Sequence, residues 1–244
     1  MSDAARAPEL RARGLSRRFG AHTALADVDL EVAAGSTFAL LGANGAGKTT
    51  FLRIAAGLLL PSAGEIVVAG SSPADDPARV QRRLGYVMET SRLYPELRVR
   101  GLLRFLAAAR GLARQERKAA VERALERFGL AAVAGRPIGN LSKGYQQRVS
   151  LAQAFVHDPA LVIVDEPTGG LDPLQRHEVH ERLRALRGER TILLSTHDLA
   201  EARALADRVA VLRAGRLVAA GPAAELLGRG DPLGLFRAAP EGGA

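Results

Sequence analysis

The sequence contains no cysteine and no tryptophan. Without thiols, disulfides, thiolate metal centres and cysteine nucleophiles are excluded. Aromatic residues make up only 4% of the chain, and no RNA-binding pattern of aromatics accompanies the basic residues. No specific nucleic-acid partner is therefore expected. No stretch reaches the length of apolar residues that a membrane-spanning helix needs, and Met1–Pro8 lacks the apolar core of a signal peptide. These absences lead to the expectation of a cytoplasmic protein. Lysine is also scarce: of 34 basic residues only Lys48, Lys118 and Lys143 are lysines. What remains is ordinary for a globular chain, 47% hydrophobic and 25% charged over 244 residues, enough for one large domain with a subdomain. The net charge of +8 is spread along the chain in short clusters such as Arg11-Ala12-Arg13 and Arg82-Arg83. It reads as a bias that also enriches alanine, glycine and proline, with weak attraction to anionic membranes as a side effect.

The most informative stretch is Thr37–Thr50. The apolar run Thr37-Phe38-Ala39-Leu40-Leu41 reads as a buried strand and breaks into Gly42-Ala43-Asn44-Gly45-Ala46-Gly47-Lys48-Thr49-Thr50, after which Phe51–Leu59 reads as a helix. Gly42 to Thr49 fit G-x-x-x-x-G-K-[ST], the phosphate-cradling P-loop. Glycines let backbone N–H groups close on an anion, and the helix N-terminus adds partial positive charge. Lys48 supplies a compact ammonium for the β- and γ-phosphates, where an arginine fork would not fit, and the Thr49 hydroxyl suits Mg²⁺. An accidental match to this pattern is expected in roughly a few sequences per thousand of this length.

Loose alternation over Leu10–Leu15 and Leu25–Val32 predicts an antiparallel pair of half-exposed strands. Glu65–Gly70 and Leu84–Met88 are further strands. From Val99 to about Phe128 the pattern turns helical, broken near Gly111, which suggests a helical subdomain inserted into an α/β core. Strands return at Leu161–Asp165, Thr191–Ser195 and Arg208–Leu212, uninterrupted apolar runs separated by helical segments, as in a parallel sheet covered on both faces. Ligands of such sheets bind beyond the strand C-termini, where Asp165-Glu166 and Ser195-Thr196-His197 lie. A short helix, Ala223–Leu227, precedes a tail rich in glycine and proline. His177-Glu178-x-His180 lacks the H-E-x-x-H spacing of a zinc peptidase and reads as an exposed helical pair; His22 and His157 read as surface or loop residues.

Asp165, ending its apolar strand, is placed to hold Mg²⁺ across from Thr49, and Glu166 faces the position of an attacking water. Between the helical block and that strand lies Leu141-Ser142-Lys143-Gly144-Tyr145-Gln146-Gln147-Arg148, in which Ser142 suits a helix N-cap. This octet resembles the L-S-G-G-Q signature of ATP-binding cassette (ABC) ATPases, in a variant similar to that of ATPase subunits of bacterial exporters whose permease is a separate chain. The resemblance runs from about Leu10 to Gly221, with its landmarks in family order.

The resemblance implies an α/β P-loop NTPase with a mostly parallel core sheet, an N-terminal antiparallel β subdomain and an inserted helical subdomain. It spans 9–236, with the helical part at about 90–158 and a frayed tail at 237–244. Phe19 matches the aromatic that stacks on adenine. Gly42, Ala43, Asn44, Gly45, Ala46, Gly47, Lys48, Thr49 and Thr50 match the ATP-binding loop. Ser142, Lys143, Gly144 and Gln146 match the signature, whose serine reaches the nucleotide of the opposite subunit. Glu166 matches the catalytic glutamate, His197 the switch histidine, and Gly169-Gly170-Leu171-Asp172 the loop at the dimer seam. Glu89 stands where the family commonly has a glutamine that senses Mg²⁺ and couples to the membrane partner; with Thr49 and Asp165 it completes the implied metal set. ATP and Mg²⁺ are the implied cofactors. The implied partners are an integral-membrane permease and a second ATPase subunit, identical or related, in a head-to-tail sandwich on the inner face of the membrane. An importer ATPase, a nucleotide-gated scaffold and a nucleic-acid-acting ABC ATPase are the alternatives.

Overall fold

The computed structural model describes residues 8–90 and 93–228. The elements are β1 (Pro8–Phe19), β2 (His22–Ala33), β3 (Thr37–Leu41), α1 (Lys48–Ala55), β4 (Ala63–Val68), α2 (Pro77–Arg83), β5 (Leu84–Val87), α3 (Val99–Ala109), α4 (Arg114–Arg127), α5 (Lys143–Phe155), β6 (Leu161–Asp165), α6 (Pro173–Arg184), β7 (Thr191–Thr196), α7 (Leu199–Leu205), β8 (Arg208–Arg213), β9 (Arg216–Pro222) and α8 (Ala223–Gly228). Two sheets form. A three-stranded antiparallel sheet runs β2-β1-β4, and a six-stranded sheet runs β5-β6-β7-β3-β8-β9, parallel except for β9.

The uninterrupted apolar strands are explained by their two-sided burial. Ala39 and Leu41 of β3 enter one core, while Phe38 and Leu40 enter the other. Val162 and Val164 of β6 split from Leu161 and Ile163 in the same way. A period of two thus assigns alternate side chains to opposite faces, and both faces require apolar residues. The first core is closed by α3 to α8, the second by α1, α2 and the antiparallel sheet. In β1, by contrast, Leu10 and Ala12 are buried while Arg11 and Arg13 face out to Glu31.

Several predicted boundaries shift. The helix after the P-loop covers Lys48–Ala55 rather than Phe51–Leu59. The loop itself forms its first turn, and Gly57 at φ +69° ends it. β4 stops at Val68 because Ala69 and Gly70 both adopt positive φ in a turn, and it joins the predicted β1–β2 pair as a third strand. The sequence reading did not anticipate α2 or β9. The break at Gly111 falls between α3 and α4, at φ +84°. The predicted tail at 237–244 lies outside the described residues. No helix among the described residues is long and apolar enough to cross a membrane.

Candidate functional site

The site is assembled at the C-terminal ends of β3, β6 and β7, which are neighbours in the sheet. β3 carries the chain into the glycine-rich loop at its centre. There Gly42 is pressed against the next strand: a Cβ would lie 2.6 Å from the Leu212 carbonyl oxygen. Gly47, at φ +107°, would place a Cβ 2.5 Å from the Ala24 carbonyl oxygen, so neither position admits a side chain. Gly47 is also the N-cap of α1, whose first amides have no intrahelical partner and are available to an anion. Lys48 is 6% exposed, and its Nζ donates to the carbonyl oxygens of Gly42 (2.8 Å) and Ala43 (3.3 Å).

Asp165 ends β6 opposite Ser195 in β7. The carboxylate is almost fully buried and accepts a short hydrogen bond from Ser195 Oγ, 2.5 Å. Its charge is felt by Tyr86 of β5. Burial first and the Asp165 charge second push the Tyr86 phenol up to about 12, against the opposing charge and hydrogen bond of Arg53. Glu166 follows in the left-handed region, φ +48°. That conformation costs a non-glycine residue about 1 kcal/mol or more. It is held because the Glu166 N–H donates both to the Ser195 carbonyl oxygen (3.2 Å) and to Ser195 Oγ (3.1 Å). The twist turns the carboxylate toward the loop. Oε1 lies 3.3 Å from Lys48 Nζ and Oε2 lies 2.9 Å from Nδ1 of the exposed His197. One carboxylate therefore joins the P-loop cation to a histidine at the end of β7.

A cavity of about 360 Å³ opens over this cluster. Its lining includes Phe19, Asn44, Gly45, Ala46, Gly47, Lys48, Thr49, Thr50, Glu89 and Glu166, with His22 also at the wall. Phe19 is 45% exposed and its ring is covered on one side by the Arg17 guanidinium, 4.6 Å from the centroid. Gly42 and Ala43 shape the loop without lining this cavity. Glu89, just beyond β5, is exposed at the same cavity as Thr49. Among the described residues no three His, Cys, Asp or Glu side chains come together as a metal cage. A cation here would have to share its ligands with phosphate oxygens, the usual manner of Mg²⁺.

The signature segment is not brought into that cavity. Ser142 caps α5, its Oγ accepting from the Tyr145 N–H at 3.4 Å, and both Ser142 and Lys143 are exposed. Gly144 packs under Gln175, whose Cγ would lie 2.7 Å from an added Cβ. Gln146 turns inward: its Nε2 donates to the carbonyl oxygens of Leu141 (3.0 Å) and Ile138 (3.3 Å), bracing the turn that presents Ser142. Gln147 ties α5 to the loop after Glu166 through the Pro167 carbonyl oxygen, 2.8 Å.

One histidine reading needs correction, and His157 lies in a turn as read. His180 is buried, not exposed, because α6 packs that face against α7, where Nε2 lies 2.9 Å from Glu201 Oε1. The same oxygen accepts from Thr168 Oγ at 2.6 Å, which fastens the start of the Gly169–Asp172 loop. His157 is half-buried beside β5, with Nε2 3.1 Å from the Leu84 carbonyl oxygen. Ser195, Gln147 and Glu201 support the site through contacts that the sequence does not spell out. The only signal for Ser195 was its place at the end of an apolar strand; Gln147 and Glu201 act through contacts distant in sequence.

A family model described as ABC transporter matches residues 25–169. Over 219 residues the chain is 38% identical to a Nod factor export ATP-binding protein I of Cupriavidus metallidurans, covering 89% of this chain and 72% of that protein. It is 39% identical over 214 residues to a daunorubicin resistance ATP-binding protein of Streptomyces coeruleorubidus, covering 87% and 68%. A solved structure described as an ATP-binding subunit of an ABC transporter superposes with a TM-score of 0.80 at 36% identity, covering 94% of this chain and 95% of that one.

Proposed function

This chain belongs to the ABC transporter family as an ATP-hydrolysing subunit, and from that premise we propose that it drives export through a separate permease, working as a head-to-tail dimer on the inner face of the membrane. Export is supported by the two relatives named for Nod factor export and daunorubicin resistance. The observation that carries the catalytic assignment is the Glu166 carboxylate held between Lys48 and His197.

In this reading the adenine stacks on Phe19, and the amides of the Gly42–Thr50 loop surround the phosphates. Lys48 exchanges its contacts with loop carbonyls and Glu166 for β- and γ-phosphate oxygens. The buried Asp165, with Ser195 as its hydrogen-bond donor, fits a Mg²⁺ site completed by Thr49 and Glu89, since a buried carboxylate calls for a cationic partner. Bound Mg²⁺ supplies charge neutralisation at the β- and γ-phosphates. Glu166 orients the attacking water and accepts its proton, and His197 bonds the γ-phosphate while Glu166 fixes its ring through Nδ1. Phosphoryl transfer needs mostly positioning and electrostatics, which this arrangement provides. Because Ser142, Lys143, Gly144 and Gln146 lie outside their own chain's cavity, they are assigned to the nucleotide of the second subunit. The helical subdomain and the Glu89 region are assigned to the permease.

Glu166→Gln tests the core of this scheme. ATP binding should persist, turnover should fall by about 100-fold or more, and gel filtration with ATP should show a trapped dimer. Turnover near that of the wild type removes Glu166 from the role of base.

A further inference from the structure

Two of the three lysines belong to the motifs already described, Lys48 in the phosphate loop and Lys143 beside Ser142. Lys118 belongs to neither. It stands on the wall of a groove of about 540 Å³ between α3 and α4, far larger than a single water site. Arg114, Arg117 and Lys118 recur at helical spacing on one face of α4, and Arg100 and Arg104 approach from α3.

Not all of these cations are committed. Arg100 pairs with Glu122, the one acid of the lining, and Arg117 Nε donates to the Leu112 carbonyl oxygen at 2.8 Å. Arg104, Arg114 and Lys118 are exposed and have no ion pair or side-chain hydrogen bond among the described residues. Arg114, moreover, is the first residue of α4, where the helix dipole disfavours a cation. An anion in the groove would reverse that penalty. The arginine forks match phosphate oxygens, and a lysine ammonium binds phosphate as a point charge. Beside them Phe105 is 62% exposed, an aromatic ring with no role in holding a small soluble anion.

We propose that the groove between α3 and α4 binds the phosphate of an anionic phospholipid headgroup, with Arg104, Arg114 and Lys118 as its ligands and Phe105 entering the headgroup layer. Basic side chains beside an exposed aromatic are the combination that suits a membrane interface, and the arginine and lysine stems tolerate partial burial there. The inference rests on the reading of the chain as the partner of a membrane permease, which brings it within reach of lipid.

The test uses the full chain without permease. Sedimentation with vesicles of phosphatidylcholine alone is compared with vesicles of phosphatidylcholine and phosphatidylglycerol. The triple variant R104E/R114E/K118E is set against R82E/R208E/R216E, which changes the net charge equally at exposed arginines outside the groove. The wild type should bind only the anionic vesicles. The groove triple should weaken that binding by about tenfold or more, Phe105→Ala should weaken it severalfold, and the control triple by less than about twofold. If the groove triple does not fold by circular dichroism, Lys118→Glu alone takes its place with a smaller loss in the same direction. Equal losses in the two triples would assign binding to net charge and overturn the groove. Groove-dependent binding of inorganic phosphate without vesicle binding would overturn the lipid assignment. ATPase rates are measured on every protein: a wild type without ATPase activity counts against the proposed function and leaves the vesicle result standing.

Discussion

At the scale of the residue, Glu166 shows how a backbone choice becomes chemistry. Its left-handed φ and the Ser195 hydroxyl together aim one carboxylate at Lys48 and His197. Identity and order on the strand were readable in advance; the aim was not, because Ser195 is 29 positions from Glu166 and meets it only through the sheet. Glu89 poses a sharper question. It lines the cavity with Thr49, where its charge would face a bound cation. If it ligates Mg²⁺, Glu89→Ala should raise the Mg²⁺ concentration for half-maximal ATPase activity by on the order of tenfold, with little change in metal-free ATP affinity. Glu89→Gln should keep most of the wild-type response, since an amide oxygen still ligates. Three superimposable Mg²⁺ titrations would end the ligand role.

At the scale of the element, α5 both presents the signature at its N-terminus and ends against β5 through His157. Nδ1 of His157 is buried without a partner, so a proton there would have no acceptor. Burial, with a smaller contribution from Arg110, pushes its pKa from 6.5 down to about 4, against the opposing Leu84 carbonyl and Asp158. The folded state thus keeps His157 neutral where the unfolded chain protonates it. Its contribution is fully present above pH 6.5 and is lost progressively as the pH falls toward about 4. With allowance for partial solvent access this is on the order of 2 kcal/mol. His157→Gln, which can still donate to Leu84, should flatten that part of the profile: calorimetry should show a smaller drop in Tm between neutral and acidic pH than in the wild type, by on the order of 5 °C. Equal drops would show that His157 does not carry the acid sensitivity.

At the scale of the whole molecule, the chain carries the phosphate-loop cavity and, elsewhere on its surface, the exposed Ser142 segment. The head-to-tail dimer proposed above would join the two kinds of site across chains. Ser142→Arg puts bulk and charge at that seam and removes an N-cap worth about 1 kcal/mol. ATP-driven dimerisation in gel filtration should be abolished, while the ATP affinity of the monomer should stay within about twofold of the wild type, a margin well under one N-cap's worth of free energy. An equal loss of monomer affinity would place Ser142 at its own subunit's nucleotide and contradict the sandwich.

The sequence by itself determined the phosphate loop, the Asp165-Glu166 strand end and the two-sided burial of the central strands, because each is written in contiguous residues whose spacing matches the geometry of a strand, a turn or a helix start. It did not reveal that β9 closes the sheet edge antiparallel to β8, or that β4 pairs with β1, since pairing depends on register between distant segments. Tertiary structure alone decided that His180 is buried on Glu201 and that Gln146 braces the turn before Ser142. The physical reason is the same in each case. A side chain's donor and acceptor capacity is fixed by its type, but its partner is fixed by which elements pack against it.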